Sequence, residues 1–473
     1  MLFVESKTSE TSVDHASRLP LLERLQERGL APLIRTVRLH CYETALLGPD
    51  RAGEMERLIA AWADAEEDSH YVRGDIFCFE DFVLFLVFRD EHGVGAGMRA
   101  GIIYEAEMPD ANRELDSFCR NVSEALTGTR SDAVSYPPEA IEWQLREPDE
   151  MPGPESFGVE SAAETAATAP VEVTGEVARA AEVLDDVGAR RLLRRIRESH
   201  ADGSVAELLS SLKGRTESEA LIRRLADTRL LRREVVISCR QVGRPLFRLP
   251  SPDALSVITA SNAICSECGA NIADEKIEEL VVPTDVAATL LEDGSWLSRR
   301  LHALLLQLGL PEKQIIMGPI STDGEAYMMV NVCHELFLFV LKDGDITGAH
   351  ARHALGKQGE MDASHLIVVA TGKIQDEART RLREHARRRS RSGSEVEVLL
   401  IEGIETASSE LQQAFERVSN RALAEELSAL DQSLGLSVGH MLTTRFRLMQ
   451  HSGALKDLAA SAVGALAGSL TEF

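Results

Sequence analysis

Residues Cys333–Gly348 read CHELFLFVLKDGDITG. Six apolar residues, Leu336 to Leu341, run without a break, and Lys342, Asp343 and Gly344 follow. An apolar run this short, dense in Phe, Leu and Val and closed by a turn signal, predicts a buried strand. Working outward, Tyr327–Val332 predicts its partner strand. Downstream, the pattern predicts a helix over Ile346–Leu355, a strand over Leu366–Ala370, a helix over Gln375–Arg388 and a strand over Val396–Ile401. Upstream, Trp296–Leu308 has helical periodicity and ends at Gly309-Leu310-Pro311. Strands interleaved with helices predict an α/β core over residues 311–404.

This order resembles the restriction-endonuclease-like core of the PD-(D/E)xK superfamily, in particular its Mrr-like branch. The similarity covers Gly318 to Gly403, and TGKIQDEAR opening a helix before VEVLLIEG is the part that fits best. The resemblance implies two carboxylates that hold Mg²⁺ and a lysine that positions water or stabilises developing charge. Acid and lysine lie two apart on one strand, so both face the same side. Lys342 matches the lysine, but Val340 stands where the acid belongs, and valine binds no metal. The upstream aspartate is expected near Ala326 or Tyr327, and the nearest carboxylates are Asp323 and Glu325. Three readings of Lys342 follow. It is a remnant kept for binding phosphate, or part of an active Mg²⁺ site in which Asp323 works with a migrated acid such as Glu335 or Glu360, or a solvent-facing strand end. The basic run Ala386–Ser394 next to this core is either a phosphate contact or a solvated loop.

The clearest boundary is Arg146–Glu176, rich in Pro, Ala, Glu and Thr and poor in large apolar residues. Such a stretch cannot bury enough surface to offset its ordering entropy, which predicts a linker over 146–176. Before it, residues 1–145 read as an α/β domain. Helices are expected at Leu21–Leu30, Glu54–Ala65 and Ala111–Leu126, with one or two buried strands over Ile76–Phe88 and another at Gly101–Ala106. The loop GVGAGMRAG, Gly93–Gly101, is followed by Ile102-Ile103-Tyr104, so a hairpin turn is expected rather than a phosphate loop opening a helix.

After the linker, Val183–Ser199 predicts a helix. Ser204 and Glu207 form a capping-box pattern for a second helix closed by Gly214, and Thr216 with Glu219 repeats it for a third, to about Arg229. REVVISCRQVGRPLFRL then alternates, turns near Gly243 and returns. Three helices and a β-hairpin resemble a winged helix-turn-helix, over residues 177–255. From Arg190 to Arg248 there are 15 Arg or Lys against 7 Asp or Glu. The resemblance implies DNA contact, with Arg223, Arg224 and Arg229 on or near the helix that enters the major groove and Arg240, Arg244 and Arg248 on the wing. The same fold also serves as a protein-protein module, in which these arginines are solvated or pair with acidic surfaces.

Residues 256–310 form a connector that carries Cys265-Ser-Glu-Cys268-Gly. This spacing lets two thiolates converge on one metal and resembles half of a zinc ribbon. No second CxxC follows, and Cys239 is a candidate third ligand. A redox pair or an ordinary turn are the alternatives.

The whole chain has a formal charge of −25, so it repels DNA and anionic membranes unless a local patch reverses the field. No apolar run approaches the roughly 20 residues of a membrane span. The N-terminus MLFVESKTSETSVDH does not read as a signal peptide, and seven scattered cysteines do not suggest a disulfide framework, so a cytoplasmic chain is expected. Residues 405–473 read as helical, with an Ala/Gly/Leu-rich end at Ala454–Leu470 suited to close helix packing. The fold class expected is multidomain α/β. The function expected is a nucleic-acid-associated, non-cleaving protein of the kind found in bacterial defence or DNA processing. The alternatives are an active Mg²⁺-dependent nuclease and a protein scaffold that uses the N-terminal domain.

Overall fold

The computed structural model describes residues 1–46, 48–63, 71–89, 97–106, 108, 110–127, 141–145, 157, 175–198, 203–204, 215–251, 253–260, 263–292, 294–321, 324–391 and 397–450. The chain is mixed α/β and forms two compact units, each built from non-contiguous segments. No helix among the described residues is long and apolar enough to cross a membrane.

The first unit comprises Met1–Glu150, Asn331–Glu335 and Leu411–Phe473. Its sheet contains β1 (Leu2–Ser9), β2 (Gly74–Cys78), β3 (Phe82–Arg89), β4 (Gly97–Glu105) and β5 (Gln144–Leu145), in the order β2-β3-β4-β1-β5 and antiparallel throughout. Alternation divides β3 between two cores. Val83, Phe85 and Val87 join Leu2, Val4, Ile76 and Ile103 on one face. Leu423, Leu427 and Leu430 of the helix Ala407–Leu434, with Val438, Leu442 and Phe446 of a helix over 438–450, cover that face. The C-terminal helices therefore complete the core of the N-terminal sheet. The Ala454–Leu470 stretch lies outside the described residues. In the sheet Phe85 pairs with Gly101, and a Cβ at 101 would sit 2.1 Å from the Phe85 ring, so only glycine fits there.

The strand β1 is the element the sequence pattern does not announce, because Glu5 and Lys7 interrupt its apolar residues. Both find partners in place: the Tyr104 hydroxyl donates to Glu5 Oε1 at 2.9 Å, and Lys7 pairs with Asp116. In β2, the buried carboxylate of Asp75 accepts the Ile34 and Arg35 amides at 2.7 and 2.9 Å, capping the helix Leu33–Leu46. Burial pushes that carboxyl up to about 6, against those amides.

The second unit comprises Met151–Val330 and Leu336–Glu410 and contains two sheets. The smaller contains β6 (Gly203–Ser204), β7 (Leu231–Ser238), β8 (Pro245–Leu249) and β9 (Lys276–Pro283), in the order β6-β9-β7-β8. The helices Gly175–Val183, Val187–Glu198 and Arg215–Asp227 precede or interleave it. Ser204, expected to cap a helix, instead pairs with Leu280 in the sheet, and Glu207 and Gly214 lie outside the described residues.

The larger sheet contains β10 (Ile315–Ile320), β11 (Glu325–Val332), β12 (Glu335–Lys342), β13 (His365–Ala370) and β14 (Val398–Glu402), in that order. The pair β10-β11 is antiparallel; β12-β13 and β13-β14 are parallel. The helices Gly348–Glu360 and Asp376–Arg391 make the crossovers. Leu336, Leu338 and Val340 share one face of β12 and pack with Ala351, Ala354, Ala378 and Leu382 from those helices. Val340 is a core residue, 1% exposed. Phe157, in the stretch expected to be a linker, is buried in the same core, and a Cβ at Gly318 would meet its ring at 3.0 Å. The rest of that stretch before Gly175 lies outside the described residues.

Candidate metal centre

The strands β7 and β9 pair in antiparallel register from Leu231↔Pro283 to Ser238↔Lys276. The next residue on each arm, Cys239 and Glu275, flanks the mouth of the pair. Between them the chain makes an excursion through β8, the helix Asp253–Ala260 and the Cys265–Cys268 turn. One ligand atom from each of Cys239, Cys265, Cys268 and Glu275 lies within 4.8 Å of all the others. Cys239, Cys265 and Glu275 are buried, and Cys268 is half-buried. The structure thus brings Cys239 to the CxxC pair and adds Glu275, which the sequence reading missed. A lone Glu before a strand carries no motif; only the β7-β9 register reveals it.

Two turns of the same form hold the cysteines. In Cys239-Arg-Gln-Val-Gly243 the Gly243 amide donates to the Cys239 carbonyl at 2.7 Å, and the Cys239 amide to Arg244 O at 2.9 Å. In Cys265-Ser-Glu-Cys-Gly269 the Gly269 amide donates to the Cys265 carbonyl at 2.9 Å, and the Cys265 amide to Ala270 O at 2.7 Å. Both glycines are left-handed, with φ of 72° and 74°, where a side chain would be strained. The match places Val242, 61% exposed, at the position Cys268 holds in the other turn. The first turn therefore supplies one thiol and the second supplies two.

The electrostatics favour a thiolate at Cys239 and a carboxylate at Glu275 and keep the proton on Cys268. Burial opposes a thiolate at Cys239, but the Gln241 and Val242 amides and the neighbouring thiols outweigh it and hold its pKa below the ordinary value. The Cys268 thiol donates to Glu275 Oε1 at 2.8 Å, which pushes Cys268 up to about 12. The same bond, with the Arg240 amide at 2.5 Å from Oε2, holds Glu275 below the usual carboxylate range. One proton therefore sits between the two groups, and a cation can take its place.

The arginines singled out from sequence fall in two places. Arg223 and Arg224 are exposed on the helix Arg215–Asp227, and Arg229 is exposed just after it with φ of 57°. Arg240 and Arg244 are exposed at the hairpin mouth, with Arg244 3.4 Å from Glu267. Arg248 pairs with the buried Glu234, which also takes Arg232 at 2.5 Å, so part of this positive charge is neutralised internally.

Of the described residues matched to a nuclease site, Lys342 and Glu335 are not brought together. Lys342 ends β12 and Glu335 begins it, about 23 Å apart at an ordinary strand rise. Arg421 grips both Glu335 oxygens, at 2.7 and 2.6 Å. Glu360 pairs with Lys357 at 2.7 Å, and Asp323 lies outside the described residues. Asp343 is held by the Trp296 indole N–H at 2.8 Å, the Thr371 hydroxyl at 2.7 Å and Arg194. Glu325, at the start of β11, is 1% exposed. Its Oε2 accepts from the Tyr327 hydroxyl at 2.7 Å and lies 3.0 Å from His353 Nδ1. Its Oε1 makes no hydrogen bond, and His350 Nε2 stands 3.7 Å away. The two histidines, three apart on one helix, carried no signal in the sequence reading.

Comparison of the chain with protein-family models, with curated proteins and with solved structures found no match.

Proposed function

We propose that the chain binds nucleic acid through a winged helix within residues 177–255, and that the β10–β14 sheet is a degenerate nuclease-like platform that does not cut. The observation that carries this reading is the exposure of Arg223 and Arg224 on the helix that leads into the β7-β8 hairpin, with Arg240 and Arg244 exposed at its turn. In a chain of charge −25, the exposed Arg223-Arg224 pair and the β7-β8 hairpin, with five Arg against one Glu over 231–249, supply the local reversal of field that a polyanion needs. Burial of Val340 in the platform's core supports the non-cleaving half of the reading. The setting, DNA processing or defence, follows from the family resemblance alone.

The test is fluorescence anisotropy of labelled duplex DNA against salt. Wild-type affinity is expected to fall steeply with salt, and Arg223→Ala/Arg224→Ala to lower it about tenfold or more and flatten the log-log slope by roughly 2. A wild-type chain that leaves the duplex free at low salt overturns the reading and favours the protein scaffold.

Glu325 favours a second reading, an active Mg²⁺-dependent nuclease, because it is a buried acid with an oxygen left open on the strand before β12. Cleavage in Mg²⁺ or Mn²⁺ that disappears in both Lys342→Ala and Glu325→Gln would replace the platform with an enzyme.

A further inference from the structure

We propose that Cys239, Cys265, Cys268 and Glu275 form a tetrahedral zinc site that staples the mouth of the β7-β9 pair. The proposal stands on geometry and donor chemistry and is independent of nucleic-acid binding. Four ligand atoms lie within 4.8 Å of one another. Zinc with thiolates at about 2.3 Å has a tetrahedral edge of roughly 3.8 Å, so the ligands need to move only slightly. Three sulfurs and one oxygen suit zinc and are poor ligands for Mg²⁺ or Ca²⁺, which take oxygen.

The surroundings are those of a built site. The Arg240 amide occupies Glu275 Oε2 and leaves Oε1, the oxygen turned to Cys268, as the ligand atom. The two Cys-x-x-x-Gly turns fix the Cys239 and Cys265 backbones by matching hydrogen bonds, from each glycine amide to the cysteine carbonyl and from each cysteine amide to the carbonyl after the glycine. On binding, each thiol gives up its proton to solvent and four metal-ligand bonds form, with no change of oxidation state. Three thiolates and a carboxylate around Zn²⁺ leave two negative charges, and Arg240 and Arg244 stand at the same mouth to offset them. All four positions are filled by protein, so the site is structural and has no open position for catalysis.

The element is identified by metal analysis of the purified full chain, and the site by titrating the metal-free chain with Co²⁺, whose thiolate charge-transfer absorption grows with each sulfur bound. One zinc per chain is expected, with a Co²⁺ spectrum of three thiolates. Cys239→Ser and Cys265→Ser should each weaken binding about a hundredfold, and Glu275→Ala about tenfold, while Cys41→Ser and Cys78→Ser leave it unchanged. The Co²⁺ titration of the wild-type chain keeps the test decisive if a variant fails to fold. A wild-type chain that takes up neither metal overturns the proposal. So does zinc retained equally by Cys265→Ser, a Cys265–Cys268 disulfide in the native chain, or a different metal in the site. Unchanged affinity in Glu275→Ala overturns the assignment of the fourth ligand.

Discussion

Two pairs of long antiparallel strands, β11-β12 and β7-β9, close in opposite ways. The β11-β12 hairpin turns on two residues, Cys333 and His334, and its strands are apolar and buried along nearly their whole length. The β7-β9 pair never turns directly. Its strands end at Ser238 and Lys276; after Ser238 the chain returns along the other edge of β7 as β8 and passes through the helix Asp253–Ala260 and the Cys265–Cys268 turn before β9 begins. Packing holds the first pair together. The second has a small core of Val235, Ile237, Leu249 and Ile272, and its mouth carries the four groups proposed to bind zinc. A long excursion costs closure entropy that a metal clip can offset, whereas a two-residue turn needs no such help.

The largest effect expected from this contrast is on removing metal. A strong chelator should raise hydrogen exchange at Ile237, Ser238 and Ile277 about a hundredfold or more, because zinc-binding free energy is folding free energy for the segment it closes. Amides of Leu338 and Phe339 should not change. Equal loosening of both pairs would show that the metal stabilises the whole fold, and the distinction between them would fail.

The converse experiment is Leu338→Ala. Leu338 is fully buried on the face of β12 that meets the two crossover helices. Removing it should cost about 2–5 kcal/mol through lost burial and a residual cavity. Urea unfolding with and without chelator measures whether that cost depends on the metal. The same loss in both conditions means the pairs are energetically separate, and a smaller loss in chelator means they are coupled.

How much of this was legible in the sequence follows the same division. The run from β11 to β14 could be read to within a few residues, because its apolar strands and periodic helices are local signals. The strands β1, β9 and β10 were missed. Glu5 and Lys7 break the pattern in β1, and Glu278 and Glu279 break it in β9, while pairing across the sheet decides both. Of the candidate metal ligands, the CxxC pair was visible as a motif and Cys239 as a conjecture. Glu275 was not visible, since its role comes from being opposite Cys239 in register. The distance between Glu335 and Lys342 is a different kind of miss. It follows from strand rise alone, and the partnership of those residues fails on that arithmetic before any contact is considered. For the arginines, position on the helix and hairpin was readable but neutralisation of Arg248 by Glu234 was not, because that acid belongs to the neighbouring strand.

The smallest effect tests whether the tight turn is as self-sufficient as the contrast requires. Cys333 and His334 have φ of 51° and 68°, so both central residues are left-handed, as in a type I′ turn. Left-handed backbone costs a side-chain-bearing residue roughly 1–2 kcal/mol, and glycine at the second position removes that cost. Glycine also gains entropy in the unfolded chain, which cancels about half of the benefit. The Asn331 side chain accepts the His334 amide at 3.1 Å, and that bond survives the substitution. His334→Gly should therefore stabilise the chain by about 0.5 kcal/mol, read from the urea midpoint at unchanged slope. A loss of stability instead would mean that the imidazole contributes contacts worth more than the strain. The β11-β12 hairpin would then, like its counterpart, depend on side-chain chemistry at its tip.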